Sequence, residues 1–164
     1  MRSISKKIIL TGGYAVGKTS LINRFVYQRF STQFQSTIGV KIDRKTIELT
    51  DVQLTMLIWD IGGEQSQARI ADTYYLGSSG VIYVFDVTNI QGYKILESDI
   101  EYIRKKLPKA PILIVGNKKD LVEESHLDII RSSIPYPIDF FTSAKDNENV
   151  ADLFAKLAQT LIED

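Results

Sequence analysis

The chain has 164 residues, with 20 Lys+Arg balanced by 20 Asp+Glu, one His and no Cys. At 44% hydrophobic and 24% charged it has the make-up of one globular domain, able to bury about 70% of its unfolded surface. The missing cysteines exclude a disulfide framework, a zinc-thiolate or iron–sulfur centre and a thiol nucleophile, and zero net charge excludes the broad basic stripe that gives nucleic-acid binders most of their affinity.

Ile8-Ile9-Leu10 is too short for the roughly 7–15 apolar residues of a secretion signal, and no run reaches the ~18 needed to span a bilayer, so a cytoplasmic protein is expected. In chain order, Lys7–Leu10 reads as a strand and Lys18–Phe25 as a helix with Leu21, Ile22 and Phe25 on one face. Val40–Thr50 and Gln53–Asp60 read as a hairpin turning at Thr50-Asp51-Val52. Strands at Gly80–Asp86, Ile112–Gly116 and Ile138–Phe141 then alternate with helices at Ile90–Leu107, His126–Ser133 and Val150–Ile162. Val81–Phe85 and Ile112–Val115 are continuously apolar, as strands covered on both faces must be. The pattern predicts a three-layer α/β domain over residues 1–164 with one hairpin inserted.

Directly after the first strand, Gly12-Gly13-Tyr14-Ala15-Val16-Gly17-Lys18-Thr19 fits GxxxxGK(S/T). Glycines let the backbone curl its N–H groups toward phosphate oxygens, Lys18 reaches the terminal phosphates, and the Thr19 hydroxyl can ligate magnesium. A Gly-rich turn with a Lys on the first helical turn is the bland alternative, and by itself the loop says only nucleoside triphosphate. Two later strands end in Asn117-Lys118-Lys119-Asp120 and Thr142-Ser143-Ala144-Lys145, at the carboxyl ends where ligands sit in open α/β sheets. An acceptor-only carboxylate at Asp120 can take parallel hydrogen bonds from guanine N1–H and its exocyclic amine, a donor pair adenine does not present. Asn117 can bridge the base edge to the phosphate loop, and the stems of Lys118 and Lys145 can cover the two ring faces.

With these motifs in order, the chain resembles a small GTPase of the Ras superfamily from Lys7 to Ile162, and within it the Rab branch. Ser36-Thr37-Ile38-Gly39-Val40, Ile58-Trp59-Asp60, Tyr74-Tyr75-Leu76-Gly77 and Asp86-Val87-Thr88 carry the Rab likeness, while Asp60-Ile61-Gly62-Gly63 is similar to the Arf branch. The resemblance implies the P-loop G-domain fold, an α/β sandwich around a six-stranded, mostly parallel sheet with one antiparallel strand. It implies GTP/GDP and magnesium as ligands, Gly13, Tyr14, Ala15, Val16, Gly17, Lys18, Thr19 and Ser20 around the phosphates, and Phe30 across the guanine edge. Ser143, Ala144 and Lys145 complete the base site. Thr19, Thr37 and Asp60 would hold the metal, with Lys18, Thr37, Gly63 and Glu64 about the reacting phosphate. Thr37 and Gly63 would act as spring-loaded contacts that GTP orders and hydrolysis releases.

Two positions depart from the family. Glu64 stands where Gln usually orients the attacking water; an ionised Glu can only accept, and it adds negative charge beside phosphate. Slow intrinsic hydrolysis is therefore expected, with a GTP-locked or non-hydrolysing scaffold as the alternative. Tyr14 replaces a small residue; its ring would crowd an incoming arginine finger, its hydroxyl could instead touch the phosphate or cover the site, and the bland alternative is a side chain idle on the surface. An exchange factor, a GTPase-activating protein and effectors are implied as partners, with Ile42, Trp59 and Tyr74 as the effector surface and a monomer as the switch. The lone His126 is expected exposed at a helix start. The C-terminal Leu161-Ile162-Glu163-Asp164 carries no Cys for a lipid, so membranes are expected to be reached only through partners or a tail not present here.

Overall fold

The computed structural model describes residues 1–31, 39–62 and 72–163. Among these, strand β1 (Arg2–Gly12) leads into helix α1 (Lys18–Ile22), which continues as a wider π-helical turn over Asn23–Tyr27. Strands β2 (Val40–Glu48) and β3 (Val52–Ile61) form the hairpin. Then follow β4 (Ser78–Asp86), α2 (Ile90–Lys106), β5 (Ile112–Asn117), α3 (Glu124–Ser133), the short β6 (Phe140–Phe141) and α4 (Val150–Glu163). They build one six-stranded sheet in the order β2-β3-β1-β4-β5-β6, in which only the β2–β3 pairing is antiparallel.

Two apolar layers cover the sheet. On one face Ile8, Leu10, Leu54, Met56, Ile58, Ile82 and Val84 pack with Leu21 of α1 and with Leu153, Phe154, Leu157 and Leu161 of α4. On the other, Ile9, Val81, Tyr83, Phe85 and Ile114 meet Leu96, Ile100 and Ile103 of α2 and Leu127 and Ile130 of α3. Each of these fully buried aliphatic side chains contributes on the order of 1.5–3 kcal/mol. β3 alternates strictly, with Val52, Leu54, Met56, Ile58 and Asp60 inward and Gln53, Thr55, Leu57 and Trp59 half-exposed, because its outer face is not closed by a described helix.

Several boundaries differ from the sequence reading, for identifiable reasons. β1 begins at Arg2, not Lys7, since Arg2 through Leu10 pair in register with Val52 through Asp60 of β3, a partner no local pattern announces. The hairpin closes one step earlier, with Leu49 and Val52 exchanging backbone hydrogen bonds and Val52 already in β3. The helix predicted to Phe25 loses α-geometry after Ile22; the π turn brings the Phe25 ring flat against Phe154 of α4, centroids 4.0 Å apart. β6 starts at Phe140 and not at Ile138, because the Asp139 carboxylate takes the Ile114 N–H that a strand partner would have used. His126 is not simply exposed: half-buried on α3, its Nε2 donates to the Val87 carbonyl at 3.0 Å, an acceptor shared with the Tyr93 hydroxyl.

Since β1, β3, β4, β5 and β6 run parallel, the segments leaving their carboxyl ends crowd one rim of the sheet. From β1 the chain runs outward to β2 and β3 on one flank, then crosses to β4, β5 and β6 on the other, which opens a crevice at that rim.

Candidate functional site

The loop after β1 takes a shape that two glycines make possible. Gly12 has φ +143°, and a Cβ there would lie 2.0 Å from the Val84 carbonyl oxygen. Gly17 has φ +102°, and its Cβ would lie 2.2 Å from Asn117 Nδ2. Ala15 between them is also left-handed, the kind of curled backbone that a phosphate cradle uses. Val16 is buried in the core beneath, Gly13 and Ser20 flank the cradle, and Tyr14 stands 58% exposed at its lip.

Lys18, only 6% exposed, donates from Nζ to the carbonyls of Gly12 at 3.2 Å and Gly13 at 2.7 Å. Burial pushes its ammonium down to about 8, partly opposed by the Asp60 carboxylate. Asp60, at the end of β3, accepts from Thr19 Oγ1 at 2.5 Å through one oxygen, while its other, Oδ1, is buried with no hydrogen-bond partner among the described residues. Burial raises its pKa, against the Thr19 hydrogen bond and the Lys18 charge, and the nearby Asp43 carboxylate pushes in the same upward direction. A hydroxyl beside a buried carboxylate with a spare oxygen is a hard-oxygen donor set that suits magnesium. Thr19 and Asp60 are thus placed to hold such an ion; Thr37, the third expected ligand, lies outside the described residues, as do Gly63 and Glu64.

The base-side motifs are tied to this loop and to one another. Asn117 Nδ2 donates to the Val16 carbonyl at 3.1 Å, and its Oδ1 accepts from Thr142 Oγ1 at 2.9 Å. Lys118, in the left-handed region at φ +68°, donates to the Ala15 carbonyl at 2.8 Å and pairs with Asp86 at 3.0 Å. Ser143 Oγ donates to Asp120 Oδ1 at 2.9 Å and accepts the Asp146 N–H. Ala144 is buried, and the carbonyls of Ala144 and Lys145 each accept from the Arg24 guanidinium at 2.8 Å. Phe30 is half-buried against the α1–α4 core, its ring centroid 5.8 Å from that guanidinium.

The three expected effector residues also come together. Ile42 of β2, 54% exposed, is the cross-strand neighbour of Trp59, and Tyr74 lies against Trp59 with centroids 6.4 Å apart. Lys7 Nζ sits 3.8 Å above the Trp59 ring and donates to the Leu76 carbonyl, and partial burial lowers its pKa.

Sequence reasoning missed Arg24, Thr142, Asp86 and Lys7 as members of these clusters. Thr142 was adjacent to a motif and could have been found by placing alternate residues of the strand end inward. Arg24 had no such signal, because its partners lie 120 and 121 residues away.

A family model described as "Ras family" matches residues 7–163. The chain is 34% identical to Ras-related protein Rab-7b of Bos taurus over 167 residues, covering 96% of this chain and 82% of that protein. It is 34% identical to the Homo sapiens Rab-7b over 169 residues at the same coverages, and 34% identical to Homo sapiens Rab-8B over 161 residues, covering 95% of this chain and 78% of that protein.

Proposed function

Because the chain belongs to the Ras family of small GTPases and is Rab-like, a GTP-binding switch of the hydrolase class, we propose that residues 1–164 form one G domain with a slow intrinsic clock. Asn117 carries the reading of a single nucleotide site. It joins the phosphate loop at Val16 to the base-side strand at Thr142, so that three motifs serve one ligand.

In this reading the loop from Gly13 to Ser20 wraps the phosphates, and Lys18 exchanges its carbonyl partners for phosphate oxygens. The incoming negative charge favours the ammonium that burial disfavours, pushing its pKa back up. Asp120 reads guanine, the Lys118 and Lys145 stems and Phe30 enclose the ring, and Ser143 with Ala144 shapes the rim. Thr19, Thr37 and Asp60 hold magnesium, which when bound would offset charge developing on the phosphates. Thr37 and Gly63 hold their segments to the terminal phosphate until it leaves.

Glu64 sets the rate. A like-charge contact at roughly 4 Å and an effective dielectric of about 20 costs on the order of 4 kcal/mol unless the carboxylate swings away, is protonated or is paired with a cation, and unlike Gln an ionised Glu cannot donate to hold the water. Tyr14 at the lip crowds an arginine supplied in trans, so a GTPase-activating protein would have to work around it. Effectors dock on Ile42, Trp59 and Tyr74, an exchange factor reloads the switch, and the protein works as a cytoplasmic monomer. Among the described residues no helix is long and apolar enough to cross a membrane.

A second reading, a GTP-locked scaffold, rests on the same Glu64 and the 58% exposed Tyr14. Single-turnover phosphate release from GTP decides. The native chain is expected to be slow and Glu64→Gln at least about tenfold faster, a gain of about 1.4 kcal/mol in the barrier. Equal rates, or a slower Gln form, would sink the impairment, and release from neither would favour the scaffold.

A further inference from the structure

We propose that Arg24 is a specificity-positioning residue, setting the posture of the Asp120 carboxylate and with it the preference for a purine bearing a 2-amino group. The proposal rests on the guanine reading above and adds to it the side chain that makes Asp120 selective.

Arg24 lies in the π-helical turn on the phosphate-loop side of the crevice. Its Nε–H donates to the Ala144 carbonyl and its Nη2–H to the Lys145 carbonyl, both at 2.8 Å. In a planar trans peptide the carbonyl and the following N–H point in opposite directions. Drawing the Lys145 carbonyl toward Arg24 therefore aims the Asp146 N–H away from it, and that N–H donates to Ser143 Oγ at 2.9 Å. The Ser143 hydroxyl in turn donates to Asp120 Oδ1 at 2.9 Å. Every joint has one possible direction, because a guanidinium only donates, an ionised carboxylate only accepts, and a hydroxyl that accepts from one side can donate to the other.

Hydrogen bonds in series polarise one another, so the Arg24 charge strengthens the grip on Asp120 three hydrogen bonds away. Fixing Oδ1 fixes the plane of the carboxylate. A coplanar carboxylate is what two parallel bonds to N1–H and the exocyclic amine demand; one free to rotate still meets N1–H but loses the second bond. The same guanidinium faces the Phe30 ring, so one side chain reaches both the reading edge and the ring-covering group. Lysine cannot substitute, since its single ammonium lacks the fork that holds two successive carbonyls.

The test measures release of ribose-labelled GDP and inosine diphosphate, which lacks the 2-amino group, from the full chain. Arg24→Ala is expected to lower the preference for GDP about fivefold, mostly by faster GDP release, in line with loss of a charge-assisted hydrogen bond. Ser143→Ala is expected to give the same fall, and the double variant no more than either single one, as members of one relay must. Arg24→Lys keeps the charge without the fork and is expected to lower the preference too, which carries the test where Arg24→Ala does not fold. Equal acceleration of both nucleotides would make Arg24 a brace of the fold and overturn the proposal. So would additive losses in the double variant, or no change in Arg24→Ala. A native chain that does not prefer GDP over ADP would instead remove the guanine reading itself.

Discussion

The two halves of the crevice differ in how their polar groups are satisfied. On the base side, Asn117, Lys118, Ser143 and the carbonyls of Ala144 and Lys145 all hold protein partners at 2.8–3.1 Å. On the phosphate side Lys18 is buried with its pKa pulled down to about 8, while Asp60 keeps a buried oxygen without a hydrogen-bond partner among the described residues. Burying a charge or an orphan acceptor is costly, so in the proposed reading the phosphate half is the part a charged ligand and a cation would complete, whereas the polar groups of the base half are paired within the protein.

That contrast can be broken at its hinge. Gly17→Ala forces a left-handed φ and places a Cβ against Asn117, the residue joining the halves. A stability loss of about 3 kcal/mol or more is expected in thermal unfolding, with loss of GDP binding by calorimetry. Lys18→Ala damages only the phosphate half. GTP affinity is expected to fall about a hundredfold, as when one partner of a desolvated charge pair is removed, while the preference for GDP over inosine diphosphate stays native. A collapse of that preference would show that the halves are not separable. For the metal, chelation by EDTA is expected to speed GDP release from the native chain about tenfold, roughly 1.4 kcal/mol, and Asp60→Asn to flatten that response; an undiminished response in the variant would remove Asp60 from the ligand set.

The smallest effect lies behind the site and serves as its control. The Tyr83 hydroxyl donates to Asp99 at 2.6 Å in the α2-side core, and burial with the Asp99 charge raises its pKa, as burial does for Tyr75. A raised folded pKa means that the stability is fully present below about pH 10, where the unfolded phenol titrates, and is lost as pH climbs beyond it. Tyr83→Phe is expected to cost about 1 kcal/mol at neutral pH, to make the decline in melting temperature above pH 10 shallower, and to leave nucleotide release unchanged.

How legible the molecule was in advance depended on where the information lies. The Gly12–Thr19 loop, the Asn117–Asp120 and Ser143–Lys145 strand ends and the apolar strands were readable because each is a local pattern whose chemistry follows from spacing. The start of β1, the π turn and Asp139 in place of a strand partner were not, since each answers to a distant segment. The same holds for His126, drawn in by the Val87 carbonyl.

By itself, then, the order of residues determined an α/β alternation with one hairpin inserted, a phosphate-loop pattern with its lysine, and two further polar motifs at strand ends. Only the tertiary structure decided that Asn117 locks against Val16, that Lys18 is buried with its pKa lowered beside Asp60, and that Arg24 reaches the loop behind Asp120. Local patterns record what a segment can do alone. Which buried donor meets which acceptor across a hundred residues is settled only when packing strips them of water and leaves each to find the partner that the fold supplies.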